Sequence, residues 1–228
     1  MRLNKVTRWV KRSPFYLLYA QLQTPELRII TISDAAFRRE DETGLAMRGA
    51  QICLGENHGD HPGGRVHQLE WYSKRQRRIT RSTFGAELNA LGDGHEQAKV
   101  IGFAFCELMS RTVLTAHDLC QMDDKGTWPI QLHAAIDCRS VFDALAVEEP
   151  KRPTESSLIM LLLQLKEQLS SGSLRKLWWV STTDMSADGL NKGAVSRSGI
   201  MKLCMTGTWA LTMDCVFHED KIKGKLHS

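Results

Sequence analysis

From Leu27 the chain alternates between two faces. Arg28, Ile30, Ile32 and Asp34 share one side of an extended segment; Leu27, Ile29, Thr31 and Ser33 share the other. This period of two predicts a first strand that ends at Asp34. A charged turn follows over Arg38 to Glu42, and Leu45 to Leu54 reads as a second strand with a bulge at Gly49. Gly55 to Arg65 holds four glycines and a proline and reads as a loop. Val66 to Ser73 supplies a third strand. Three strands on short connections predict an antiparallel meander.

The period then changes. Thr80 to Thr83 offers helix N-caps, and a long helical stretch runs from Phe84 to Met109, with a break expected near Gly92-Asp93-Gly94. Residues 115–127 read as a loop. Ile130 to Asp137 alternates again and predicts a fourth strand. Cys138 to Ala146 is a short helix. After Pro150 and Pro153 a second amphipathic helix starts at Thr154 or Ser156 and stops before Gly172. Its stripe of Leu158, Leu161, Leu162, Leu165 and Leu169 has the spacing of a core-facing surface. Leu177 to Ser181 is a fifth strand, and residues 186–192 begin another helix. The order β-β-β-α-β-α-α-β-α predicts an α/β protein. Its mixed five-stranded sheet has three antiparallel strands, then two parallel ones, with helices on both faces.

Composition narrows the class. The 228 residues are 42% hydrophobic and 25% charged, enough to bury one large core. The longest apolar run, Leu158 to Leu163, is far too short to cross a membrane, so no membrane partner is expected. Pro14, Gln21 and Gln23 interrupt the apolar stretch near the N-terminus and argue against a signal peptide. Six cysteines are scattered without a CxxC pair, which predicts reduced thiols and an intracellular setting, cytoplasmic or nuclear. A net charge of +4 is too mild for a histone-like binder, so the positions of the charges matter more than their sum.

Those positions fall into two groups. Lys74, Arg75, Arg77, Arg78 and Arg81 gather with no acid among them, between the third strand and the long helix. They are candidates for contact with nucleic-acid phosphates, ahead of a nuclear-localisation cluster or a solvated turn. The second group is acidic. Asp34 and Asp137 end the first and fourth strands after apolar runs, Glu87 lies early in the long helix, and Asp188 follows the fifth strand. Carboxylates in apolar surroundings are costly unless compensated. Hard divalent cations, which prefer carboxylate oxygens, would compensate them. A single strand-end acid would be an ordinary surface group; four in this order are not.

These residues resemble the ribonuclease H domain of copia-type LTR-retrotransposon polyproteins. Ser33-Asp34-Ala35-Ala36-Phe37 is similar to that family's Ser-Asp-Ala-Asp-Trp. Leu69 to Gln76 is similar to its Ile-Ser-Trp-Ser-Ser-Lys-Lys-Gln strand, and Ser82 to Leu88 resembles its Ser-Ser-Thr-Glu-Ala-Glu-Tyr helix start. Ile136-Asp137-Cys138-Arg139-Ser140-Val141 resembles Cys-Asp-Asn-Gln-Ser-Ala. Asp184 to Lys192 resembles the closing Gln-Leu-Ala-Asp-Ile-Phe-Thr-Lys. Leu3 to Lys11 resembles the Arg-Tyr-Leu-Lys helix that joins polymerase to ribonuclease H. The resemblance covers residues 3–192.

It implies a ribonuclease H-like fold over residues 25–192, a basic linker helix over 1–24 left from a polymerase connection, and a tail over 193–228 with no assigned role. It implies two Mg²⁺ ions, with Mn²⁺ as a substitute. Asp34 would bridge both, Glu87 and Asp137 would complete one site, and Asp188 the other. The expected reaction is hydrolysis of the RNA strand of an RNA–DNA hybrid, leaving 5′-phosphate and 3′-hydroxyl ends. The expected partners are the hybrid and a reverse transcriptase domain of the same polyprotein. Departures from the family pattern are Ala36 in place of an acid, Asn191 in place of Thr, and no His between Trp179 and Asp188. The rival readings are an inactive module that binds nucleic acid or tethers a polymerase, and a different two-metal nuclease or transposase.

Three further patterns point to no chemistry. Gln121-Met122-Asp123-Asp124 resembles a polymerase metal turn but lacks flanking strands. His58 with His61, and Cys204 with Cys215 and His218, fit no common zinc spacing. Trp178-Trp179 reads as sheet core.

Overall fold

The computed structural model describes residues 11–12, 16–37, 45–59, 61–77, 79–147, 153–192 and 195–219. Most of the basic segment over residues 1–15, together with Arg78, lies outside them. The meander forms as its alternation predicts: β1 (Leu27–Ala36), β2 (Met47–Glu56) and β3 (Gly64–Arg75) pair antiparallel. The irregularity falls between Ile52 and Cys53, opposite Leu69, and not at Gly49. Gly49 pairs regularly with both Asp34 and Ser73.

The long helix α1 (Thr83–Ser110) is unbroken. Gly92 and Gly94 cost helix propensity, but their missing side chains let α1 settle onto its neighbours. A Cβ at Gly94 would stand 2.7 Å from Thr31 Cγ2, and one at Gly92 2.9 Å from Leu161 Cδ1. The segment expected as a loop contains α2 (Ala116–Lys125), which opens on a Thr115–Asp118 capping box and ends on Gly126 in the left-handed conformation. Its polar surface has no apolar stripe to betray it. The chain continues through β4 (Gln131–Ile136), α3 (Arg139–Ala146), α4 (Leu158–Ser171) and β5 (Lys176–Trp179). A 3-10 turn (Thr182–Asp184) leads to the short helix α5 (Asp188–Asn191) and then to α6 (Ser198–Thr206).

The sheet has seven strands, not five. Its order is β6-β3-β2-β1-β4-β5-β7, with β6 (Thr208–Trp209) and β7 (Val216–Phe217) added at opposite edges. Both additions are antiparallel, whereas β1, β4 and β5 run parallel. Two-residue strands carry no readable alternation, so periodicity cannot find them. One face of the sheet packs Ile29, Ile52, Leu132, Ala134 and Ile136 under α1, α3 and α4. The other packs Ile30, Ile32, Ala135 and Trp178 under α6, Met185 and Trp209. No helix among the described residues is long and apolar enough to cross a membrane.

Arg28 is fully buried at the opposite end of β1 from Asp34. Its guanidinium donates to the carbonyls of His61, Pro62 and Gly63 at 2.9, 2.6 and 3.1 Å and so fixes the loop before β3. Burial lowers its pKa to about 10.

Candidate metal centre

The parallel ladder between β1 and β4 pairs Ile32 with Ala135 and goes no further. Beyond it the two strands separate at their carboxyl ends, and a crevice opens where ligands of parallel sheets commonly bind. Asp34 on β1 and Asp137 just after β4 enter this crevice from its two sides. Asp188, at the start of α5, enters from the second sheet face. Gly49 permits that approach, since a Cβ there would lie 3.0 Å from Leu190 Cβ. One carboxylate oxygen of each aspartate lies within 4.8 Å of the others.

Glu87 reaches the same cleft from the second turn of α1. Its Oε2 accepts a hydrogen bond from the Ala35 amide at 3.0 Å, and Glu87 is not one of the three residues whose carboxylate oxygens converge. The cleft, about 470 Å³, is lined by Asp34, Glu87, Asp137 and Lys192, with Phe37, Thr83, Cys138 and Thr182 at its walls.

Burial and mutual repulsion govern these groups. Burial, then Asp34 and Asp137, raise Glu87 to about 9. Burial and Asp34 raise Asp137, against an opposing hydrogen bond from the Thr182 hydroxyl. Burial raises Asp188 to about 6 against the pull of Lys192. For Lys192, burial opposes the charge but is outweighed by Asp188 and Asp34, and its pKa rises. The ammonium lies 3.0 Å from Asp34 Oδ1 and 2.5 Å from Asp188 Oδ1.

The donor set suits a divalent cation. Asp34 is fully buried, and its Oδ2 has no hydrogen-bond partner. Such an oxygen is costly unless something positive meets it. Three converging carboxylates, with Asp34 raising the pKa of both Asp137 and Asp188, offer hard oxygen ligands and excess negative charge.

Lys74, Arg75, Arg77 and Arg81 are all exposed. Gln76, buried between them, donates from its backbone amide to Ala46 O at 2.8 Å and from its side chain to Ala86 O at 2.7 Å. The basic segment is therefore tied to the turn of α1 that carries Glu87. Lys192, Thr182 and Asn191 escaped the reading of chemistry from sequence. Lys192 could have been found, because a residue four beyond Asp188 on a helix shares its face. Thr182 and Asn191 carry no such signal.

The residues of the remaining sequence patterns have structural places. Asp123 lies in α2 and accepts from Lys99 Nζ at 3.0 Å and from the Ser173 hydroxyl. His218 Nδ1 accepts from the Leu177 amide at 3.3 Å. Cys204 packs in the core. Trp178 is buried and Trp179 half-buried. Among the described residues, the aspartate triad is the one grouping of His, Cys, Asp or Glu with metal-ligand geometry.

No family model matches the chain, and neither does any curated protein. Similar solved structures include ribonuclease H1 from the halophilic archaeon Halobacterium salinarum. It is 17% identical with a TM-score of 0.46, over 73% of this chain and 96% of that one. A ribonuclease H1 isolated from compost is 12% identical with a TM-score of 0.44, over 75% of this chain and 96% of that one. The NurA nuclease from Sulfolobus solfataricus is 10% identical with a TM-score of 0.35, over 79% and 56%. These are distant likenesses; the chain's own geometry has to carry its function.

Proposed function

We propose that this chain is a metal-dependent endonuclease of the ribonuclease H type, which hydrolyses the RNA strand of RNA–DNA hybrids. The observation that carries the reading is the convergence of Asp34, Asp137 and Asp188 at the carboxyl ends of two parallel strands. Glu87 in the same cleft supports it. So does the strand order, an antiparallel meander followed by two parallel strands. The segment resemblances to copia-type polyproteins favour a retrotransposon origin, with a reverse transcriptase as natural companion.

In this reading Asp34, Asp137, Glu87 and Asp188 hold Mg²⁺, or Mn²⁺ in its place. The cation supplies Lewis-acid stabilisation of charge on the phosphate and activation of water at neutral pH. The chain's residues position and shield. Ala35 N–H orients Glu87, Thr182 orients Asp137, and Asn191 Nδ2 holds the Asp34 carbonyl at 2.8 Å. The exposed cations at 74, 75, 77 and 81 would lie along the nucleic-acid backbone, and the RNA 2′-hydroxyl would distinguish the cleaved strand.

The test is cleavage of an end-labelled RNA–DNA hybrid in Mg²⁺. Replacing a partner of a metal ligand commonly costs 10–100-fold, so Asp34→Asn, which alters a ligand itself, should lower the rate at least roughly a hundredfold. It should leave the circular dichroism spectrum unchanged. Hybrid binding without cleavage in either Mg²⁺ or Mn²⁺ would leave an inactive nucleic-acid-binding module. Cleavage of duplex DNA alone would point to the other two-metal nucleases.

A further inference from the structure

The acidic cluster carries its own cation. Lys192 follows Asp188 by four residues, so α5 brings the ammonium over the carboxylate of its own first residue. Nζ bridges Asp34 Oδ1 and Asp188 Oδ1 at 3.0 and 2.5 Å. The two carboxylate side chains are 1% and 9% exposed, and the lysine side chain 29%, so the ammonium enters from the solvent side. The pair is held by more than charge. Asn191, next to the lysine, hydrogen-bonds the Asp34 carbonyl, and the Lys192 amide closes on Asp188 O at 3.1 Å.

The ammonium forms its ion pairs with one half of the cluster. The other Asp34 oxygen, Oδ2, is buried without a partner, and no ion pair reaches Asp137 or Glu87 among the described residues. Lys192 holds one oxygen of each of Asp34 and Asp188, so a divalent ion between them would have to share both carboxylates with the ammonium. It would also have to approach a fixed positive charge in a site largely closed to water, where such repulsion is weakly screened.

We propose that Lys192 is a resident cation that fills the Asp34–Asp188 half of the site, so that the protein takes one divalent ion, on Asp34 and Asp137 with Glu87 beside them in the cleft, instead of a pair; Asp188 is then the lysine's partner, which narrows the four-carboxylate set above. The inference rests on the metal-dependent reading of the same carboxylates. A lysine is suited to this: it is a compact point charge on a flexible stem.

The experiment counts Mn²⁺ ions bound to the full chain, by titration calorimetry and by electron paramagnetic resonance of free Mn²⁺, after chelator treatment. Wild type is expected to take one ion, and Lys192→Met two under the same conditions. Lys192→Arg, which keeps the charge, is expected to stay at one. Without its lysine the cluster is unneutralised, so Mn²⁺ should raise the melting temperature of Lys192→Met more than that of wild type. This also shows that the variant is folded. Two ions on wild type, or one ion on both wild type and Lys192→Met, overturns the proposal. Hybrid cleavage separates this from the parent reading. Two ions with cleavage in wild type sinks the lysine's role and keeps the nuclease. The expected counts without cleavage of any nucleic acid keep the lysine's role and sink the nuclease.

Discussion

Glu87 shows at the scale of one residue how the site trades stability for chemistry. Its carboxyl titrates near 9 in the folded, ion-free protein, because burial and two neighbouring aspartates disfavour its charge. In the unfolded chain it titrates near its ordinary value of 4.5. A group raised on folding contributes fully below the unfolded value. Its contribution falls as pH climbs toward the folded value, because the unfolded chain releases a proton that the folded one keeps. Glu87→Gln removes this dependence and can still accept the Ala35 amide. In chelator at pH 8 it should stabilise the protein by at least about 1 kcal/mol, with about 5 kcal/mol as the upper bound that ~1.4 kcal/mol per pH unit above 4.5 allows. The gain should vanish near pH 4, as read by urea denaturation at a series of pH values. Added Mn²⁺ should reverse the order, since wild type gains binding free energy that the glutamine variant largely lacks. A variant no more stable than wild type at pH 8 would mean that Glu87 is ionised in the ion-free protein.

At the scale of elements, the turn between β5 and α5 depends on one carboxylate outside the cluster. Asp184 is 8% exposed and accepts the amides of Thr212 and Met213 at 3.0 Å and the Thr212 hydroxyl at 2.7 Å. Its own carbonyl takes the Trp209 indole N–H at 3.1 Å. It thus ties the segment before β7 to the turn that presents Thr182 to Asp137. Asp184→Ala strands three donors and should cost about 2–4 kcal/mol in urea denaturation. A loss under about 0.5 kcal/mol would show that water replaces the carboxylate there. None of this was readable from sequence, where Asp184 is one more acid in a loop. What could be read followed a period. The meander, the parallel pair, α4 with its leucine stripe, and the aspartates on strand ends all emerge from alternation against polar interruptions. The glycines of α1 misled because propensity counts their cost and not the close contact with Thr31 and Leu161. Helix α2 was hidden because it buries none of its residues. Arg28 lay on the face of Ile30 and Ile32, but its burial depends on three carbonyls of a distant loop.

At the scale of the whole molecule, residues 195–219 cover both edges of the sheet and much of one face. Thr208 and Trp209 pair with Arg65 and Gly64 on β3, and Val216 and Phe217 pair with Trp179 and Trp178 on β5. Helix α6 and Trp209 bury Leu203, Cys204 and the indole against Val66, Ile30 and Trp178. The rest of the β3 edge protects itself: Glu70, Lys74 and Arg75 are exposed along it, and the irregularity opposite Leu69 distorts it. The β5 edge has Lys176 alone as a defence, and its next residues, Leu177 and Trp178, are both buried. Ending the chain after Lys192 would strip the cover from that face. Fully burying a large apolar side chain is worth about 1.5–3 kcal/mol, so losing the seats of Leu203, Trp209 and Phe217 removes roughly 5 kcal/mol or more. Domains hold only about 5–15 kcal/mol in total. The shortened chain should therefore lose its cooperative thermal transition, or self-associate through the bared β5 edge, as read by calorimetry and light scattering. The carboxylate cluster should fail with it, because α5 is held between the sheet and α6: Arg197 Nε, just ahead of α6, donates to Gly189 O at 3.2 Å, and Ile200 lies against Gly189. A truncated chain that melts cooperatively as a monomer and still binds Mn²⁺ would show that the tail only decorates a self-sufficient fold.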